Sequence, residues 1–188
     1  MQDIQMALSQ LRQHLKYGWR QRLRAGRQRY RLGHLGQAVW LDKRVEFLRF
    51  PGNIRIEDQV VVKEGARICA CNASAKVSIG ARSTVGYHSF IFASEEISIG
   101  ADCLIAPFVY LVDSDHQIAR ERPINQQANR SAPIRIGKDV WIASGVTVLK
   151  GVNIADGAVI AAQSLVNQDV GDYEIWAGSP AKCIGNRK

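Results

Sequence analysis

A beat of six residues constrains this chain more than anything else in it. From Ile136 the sequence reads IGKDVW, IASGVT, VLKGVN, IADGAV, IAAQSL and VNQDVG, with an aliphatic residue at 136, 142, 148, 154, 160 and 166. Four places after each stands a small or β-branched residue: Val140, Val146, Val152, Ala158, Ser164 and Val170. A helix repeats its faces about every 3.6 residues and a strand about every two, so neither demands a period of six. A prism of short parallel strands does. One aliphatic side chain per flat side points into a narrow core, and a small one packs near each corner, where the chain turns.

The beat begins earlier and breaks informatively. Ile56, Val62 and Ile68 fit one run, Ile79, Val85 and Ile91 a second, and Ile99, Ile105 and Leu111 a third. Three hexads close one triangular coil, so the spacing predicts about five coils. Short insertions follow the Ile68 and Ile91 hexads. The large break comes after Leu111, where the polar, proline-bearing stretch VDSDHQIARERPINQQANRSAP has no register before Ile136 restores it. A long loop interrupting a regular solenoid is more often functional than accidental. The expected division is a basic N-terminal segment over 1–50, an all-β helix of parallel strands over 51–172 with a protruding loop at 112–133, and a C-terminal segment over 173–188.

Charge separates the same regions. Residues 1–50 hold 11 Lys and Arg against 3 Asp and Glu, whereas residues 51–188 hold 14 against 14. Between Ile4 and Leu41 there is no acidic residue. Arg20, Arg22, Arg24, Arg27, Arg29 and Arg31 are interleaved with Trp19, Leu23, Tyr30 and Leu32, and Ile4, Leu8, Leu11 and Leu15 mark one face of a helix before them. Three readings fit. The segment is a solvated helix capping the open end of the solenoid, or a peripheral attachment to anionic lipid, or a nucleic-acid contact. Nothing in the repeat region supports the last, so no nucleic-acid partner is expected. Val39–Leu41 and Val45–Phe47 read as a strand pair around Asp42-Lys43, ending at Pro51-Gly52.

No apolar run approaches the length of a membrane span. The N-terminus lacks an apolar core and a small-residue cleavage site, so the expected location is cytoplasmic, with any lipid contact peripheral at the inner membrane face. Cys69, Cys71, Cys103 and Cys183 form no C-x-x-C pair and read as reduced structural thiols.

Three stretches carry a resemblance to a known family: DSDH at 113–116, APIRIGKDVWIASGVTVLKGVNIADGAVIAA at 132–162, and AGSPAK at 177–182. Through them residues 56–184 resemble the hexapeptide-repeat acyltransferases, which fold as left-handed parallel β-helices. The resemblance is greatest to the bacterial sugar O-acetyltransferases of surface-polysaccharide biosynthesis and to the galactoside and maltose acetyltransferases. Left-handed winding is what the resemblance implies, against the usual right-handed crossover.

The resemblance implies an acetyl-CoA-dependent O-acetyltransferase acting on a sugar or polysaccharide precursor. N-acetylation of an amino-sugar nucleotide is the alternative on the same scaffold, and a non-catalytic assembly subunit is a third class. A sugar hydroxyl is a poor nucleophile at neutral pH and needs a base, and histidine is the side chain best poised for that. His116 stands at the start of the irregular stretch and is the expected base. Asp113 and Asp115 flank it and are candidates for orienting its ring or binding the acceptor, and His88 is placed to line an acceptor pocket one coil below. In the family, coenzyme A lies along the β-helix. Ser144 and Ala162 match coil positions that contact it, Trp141 matches a family tryptophan, and Ala177, Gly178, Pro180 and Lys182 match the segment beside the adenine, with Lys182 a phosphate partner.

The chain departs from the family pattern at Asn167-Gln168, where relatives often have Thr-Lys, at Gly185, where some carry Arg, and at Gln163, which replaces a usual glycine. Arg187 and Lys188 are candidate substitutes for the missing cations. The family's trimers, with His116 of one chain facing coenzyme A contacts on the next, are the expected assembly. A metal enzyme on this fold would use three histidines, whereas the repeat region has only His88 and His116, so no metal is expected.

Overall fold

The hexads fold as expected, each as a short extended piece followed by a turn. The computed structural model describes Leu15 and residues 18–188. Ile4, Leu8 and Leu11 of the expected N-terminal stripe lie outside the described residues. The first coil is β1 (His34–Leu35), β2 (Trp40–Leu41) and β3 (Glu46–Arg49). The second is β4 (Ile54–Ile56), β5 (Val61–Val62) and β6 (Arg67–Ala70), and the third β7 (Lys76–Ile79), β8 (Thr84–Val85) and β9 (Phe90–Ala93). The fourth is β10 (Glu96–Ile99), β11 (Leu104–Ile105) and β12 (Tyr110–Val112). A hairpin, β13 (Ser114–His116) and β14 (Asn129–Ser131), then leaves the prism. The fifth coil is β15 (Ile134–Ile136), β16 (Trp141–Ile142) and β17 (Thr147–Val148), and the sixth β18 (Asn153–Ile154), β19 (Val159–Ile160) and β20 (Leu165–Val166). β21 (Glu174–Gly178) and β22 (Ala181–Asn186) close the far end.

Three sheets make the flat sides. Side A runs β1-β4-β7-β10-β15-β18, side B β2-β5-β8-β11-β16-β19-β21-β22, and side C β3-β6-β9-β12-β17-β20. Pairing is parallel throughout the coils and keeps the beat in register: Leu35 on Ile56, Ile56 on Ile79, Ile79 on Ile99, Ile99 on Ile136, Ile136 on Ile154. The beat residues are buried and share one core. Burial of each apolar side chain contributes about 1.5–3 kcal/mol, and the stacked ladder repeats that gain coil after coil.

The coil count is six, not about five. The added coil lies at 34–49, and its signal was present in the sequence: Leu35, Leu41 and Phe47 keep the six-residue spacing, with Val39 and Val45 four places after the first two. β2 and β3 are therefore not a strand pair around Asp42-Lys43. They lie on different sides of the prism, β2 on β5 and β3 on β6.

At every A–B and B–C corner the residue three places after the inward aliphatic has a left-handed backbone. Along the B–C corner these are Arg44, Gly65, His88, Phe108, Gly145 and Gln163. A side chain there costs roughly 1–2 kcal/mol. Coil-to-coil bonds from the same residues, such as Gln163 N–H to Ser144 O at 2.9 Å, oppose that cost.

Helix α1 (Trp19–Arg29) packs on β1 and β2 and covers the first coil. Gln21 is buried and Ala25 packs against the core. Arg27 and Arg29 in its last turn suit the negative end of the helix dipole. Helix α1 thus caps the first coil. Among the described residues no helix is long and apolar enough to cross a membrane. All four cysteines are unpaired. Cys69 and Cys103 are buried, and burial pushes the Cys103 thiol up to about 11. Cys183 is exposed, so the structural reading fails for it.

Candidate functional site

Three of the family-matched positions stack on one corner, and the others lie around it. The register of β16 on β19 and of β19 on β21 places Ser144, Ala162 and Gly178 one above another on the B–C corner. At this corner the residue before and the residue after each of Ser144 and Ala162 bond neighbouring coils. Ala143 N–H reaches Ile160 O at 2.9 Å, Gly145 N–H reaches Pro107 O at 3.1 Å, and Ala161 N–H reaches Trp176 O at 2.8 Å. The N–H groups of Ser144 and Ala162 themselves have no hydrogen-bond partner among the described residues. Small side chains leave both open to close approach by an extended ligand carrying amide carbonyls. The Ser144 hydroxyl donates to Pro107 O at 2.9 Å and turns away from this line.

Ala177 and Gly178 end β21 beside the same corner, where Gly178 N–H donates to the Ser164 hydroxyl at 3.1 Å. Pro180 lies in the following turn, and Lys182 is exposed on β22 opposite Ala177. Trp141 is 50% exposed on side B. With Leu104, Pro107, Tyr87 and Lys63 it borders a groove of about 320 Å³.

Gln163, the departure from glycine, lies with its side-chain amide directly against Gly145, where a Cβ would collide with it. Arg187, a candidate substitute for a missing cation, is engaged within this chain. It donates to the Asp139 carboxylate at 2.8 Å, at the A–B corner, a full side away from Ser144. Lys188 is exposed.

His116 sits elsewhere. The chain leaves side C after β12, and the inserted stretch, expected to be irregular, opens as an antiparallel ladder pairing Ser114 with Ser131, Asp115 with Arg130 and His116 with Asn129. His116 is exposed, and its ring makes no hydrogen bond among the described residues. The two flanking carboxylates are engaged with other groups. Asp113 is fully buried and accepts N–H bonds from Ser94, Glu95 and Glu96 at 2.6, 2.8 and 2.9 Å. Burial pushes its carboxyl above the usual value, against the pull of those three donors. Its carbonyl accepts Ala132 N–H at 3.0 Å, so it ties both ends of the insertion to the prism. Asp115 pairs with Lys150 at 3.2 Å, and Ser131 donates to Glu95 at 2.9 Å. Lys150 and Glu95 escaped sequence reading because nothing in their spacing tells that they steady this hairpin.

His88 is not beside His116. It is a B–C corner residue on the third coil, stacked on Phe108 with ring centroids 5.6 Å apart and resting on Gly65. It borders a cavity of about 510 Å³ with Arg44, Glu46, Arg67 and Phe90. Among the described residues no three His, Cys, Asp or Glu side chains gather as a metal site requires.

A ladder of parallel coils built on a six-residue beat, with a histidine-bearing hairpin as its largest interruption, defines a hexapeptide-repeat protein. The model of the bacterial transferase hexapeptide family (six repeats) matches residues 133–168. A Schizosaccharomyces pombe protein named as an acetyltransferase is 30% identical over 158 residues, 81% of this chain and 72% of the other. The galactoside O-acetyltransferase of Escherichia coli is 35% identical over 108 residues, 57% of this chain and 53% of that one. A solved hexapeptide-repeat acetyltransferase of Vibrio cholerae, complexed with acetyl-coenzyme A, superposes with a TM-score of 0.67 at 26% identity, covering 95% of this chain and 81% of the other. The chain belongs to the hexapeptide-repeat transferase family. Its matches span 50%, 58% and 65% of the lengths of three further curated relatives.

Proposed function

We infer that the chain transfers an acetyl group from acetyl-coenzyme A to a hydroxyl of a sugar or polysaccharide precursor, and that each active site is shared by two chains of a trimer. One observation carries this reading. The open N–H row at Ser144 and Ala162 and the His116 ring, unpartnered among the described residues, stand at opposite edges of side C, about five residues of extended chain or roughly 15 Å apart. One chain does not bring them within reach of a single reacting atom. Cyclic closure brings the hairpin edge of one chain to the corner edge of the next. The names of the relatives support acetyl transfer, and the acetyl-coenzyme A bound by the Vibrio cholerae protein supports the donor.

In that arrangement neutral His116 removes the acceptor hydroxyl proton as the oxygen attacks the thioester carbonyl. A backbone N–H at the Ser144 corner receives the developing oxyanion. Collapse expels the thiolate, which takes the proton from the imidazolium, giving acetyl ester and free thiol. The Asp113 anchor and the Asp115–Lys150 pair hold the hairpin at the height of the row.

Complementation tests the shared site. A His116→Ala chain and an Ala162→Asp chain, each inactive alone in release of free thiol from acetyl-coenzyme A, are mixed and reassembled. Random mixing restores about a quarter of the sites if each lies between two chains. No recovery from well-mixed trimers places the site within one chain and removes the reading.

The outer face of α1 supports a peripheral location. Trp19 is 67% exposed, Leu23 64% and Tyr30 94%, among arginines and no acidic residue. The cap and lipid readings of this segment are compatible: the inner face closes the prism, and the outer face meets anionic lipid at the inner membrane surface.

A further inference from the structure

Between α1 and the first coil lies a cleft that neither the catalytic base nor the donor row uses. Its volume is about 210 Å³, and its polar wall is Arg24, Arg27, Lys43, Arg44 and Asp42 over a floor that includes Leu41 and Phe47. Lys43 and Arg44 both turn to Glu64, so one carboxylate serves two cations. Asp42 accepts the Lys43 backbone N–H at 2.8 Å. Arg24 and Arg27 make no hydrogen bond or ion pair among the described residues. Among the described residues four cations thus face two carboxylates, and the two guanidiniums left unmatched come from one helix face. Arg24 is half-buried and Arg27 exposed, and two neighbouring guanidiniums with no carboxylate of their own favour an anion with several acceptor oxygens in one place.

The cleft shares a wall with the next cavity along the B–C edge. Arg44 also borders the larger cavity that holds Arg67, His88 and Phe90. Above that cavity the same corner column passes Phe108 and reaches the Ser144 row. The cleft is at the first coil and Ser144 on the fifth, so at about 4.8 Å per rung they are roughly 19 Å apart. A free monosaccharide does not span that distance, whereas a phosphoryl-linked oligosaccharide does.

We propose that the acceptor is a glycan carried on a phosphoryl group, and that Arg24, Arg27, Lys43 and Arg44 bind that group while the sugars lie along His88 and Phe90 toward the donor row. This rests on the acetyl-transfer reading for the identity of the acceptor, but the anion site stands on the cleft alone. The phosphoryl group belongs either to a nucleoside diphosphate or to a lipid, and both present the same chemistry to the cleft.

Calorimetric titration of inorganic pyrophosphate into the full chain at low salt tests it. Saturable binding is expected, weakened about tenfold or more in Arg24→Gln/Arg27→Gln/Lys43→Gln. Arg20→Gln/Arg22→Gln removes charge from the same helix outside the cleft and is expected to bind as wild type. No saturable binding, or equal weakening in both variants, overturns the site. Uridine diphosphate and phosphatidylglycerol vesicles then compete with pyrophosphate. Displacement by the first alone assigns a soluble carrier and by the second alone a lipid carrier; displacement by neither overturns the acceptor role. His116→Ala is expected to bind pyrophosphate normally. Binding without any thiol release from the wild type sinks the acetyl-transfer reading and leaves the cleft. Thiol release with a free sugar and no pyrophosphate binding sinks the cleft alone.

Discussion

The two edges of side C are built by opposite means. The B–C edge is pure repetition: the same turn recurs on each coil, and where two successive turns carry Ser144 and Ala162 it leaves a line of unspent N–H groups. The C–A edge is an interruption, one hairpin held by a buried carboxylate and presenting one imidazole. Repetition yields an extended surface suited to a long ligand, because every rung offers the same group at the same spacing. Interruption yields a single projecting imidazole, because only a chain that leaves the prism can place an atom beyond its face.

The two edges differ most in what the loss of one side chain, His116, should do. His116→Ala is expected to lower thiol release by roughly 10²–10⁴ while leaving coenzyme A binding and melting temperature intact. A variant retaining more than about a tenth of the wild-type rate assigns the base elsewhere and leaves the hairpin without its chemical role.

Asp113 tests whether the interruption is anchored as described. Asp113→Ala strands three backbone donors, each worth about 1–3 kcal/mol when buried without a partner, so denaturant unfolding should show a loss of at least about 3 kcal/mol. Its pH dependence has a definite sign. A carboxyl with a raised folded value holds its proton in the fold where the unfolded chain has released it, so its protonation stabilises the fold. That contribution is fully present below the ordinary value of 3.8 and is lost as pH rises through the raised folded value. The stability difference between wild type and Asp113→Asn should therefore move in favour of the wild type on acidification over that window. A flat difference removes burial as the governing influence.

At the regular edge, Gly145→Ala places a Cβ on a left-handed residue and against Gln163. A loss of roughly 1–2 kcal/mol is expected, and Gln163→Gly in the same chain should recover part of it. Additive losses would show that the two corner residues do not share the space.

The smallest effect on stability belongs to the cap's outer face. Trp19→Ser/Leu23→Ser should change unfolding by less than about 0.5 kcal/mol yet lower binding to anionic vesicles. Wild-type binding should weaken in high salt and vanish on neutral lipid. Equal binding by both chains would confine the helix to capping.

Much of the prism was legible because its period is written in single residues. Ile136, Ile142 and Val148 announce three sides of a coil by spacing alone, and Leu35, Leu41 and Phe47 do so as clearly once Pro51-Gly52 is not taken for a boundary. His116 was legible as a candidate because it stands where the period fails, and the DSDH and AGSPAK segments suggested the roles proposed for it and for the Ser144 row.

The tertiary structure decided the rest, since it depends on which residues distant in sequence meet across coils. Asp113 and His116 are three residues apart in the chain, yet one is sealed against Ser94–Glu96 and the other exposed. His88 looked like a neighbour of His116 by coil count, but coil count does not say which corner a residue occupies. Arg187 carried a charge that the sequence left free for a phosphate, and Asp139, 48 residues away, claims it. Arg24 and Lys43 meet only because α1 folds back over the first coil. Periodicity is a local property, so the sequence carries it residue by residue. A site is a meeting of side chains through space, and packing alone determines which ones meet.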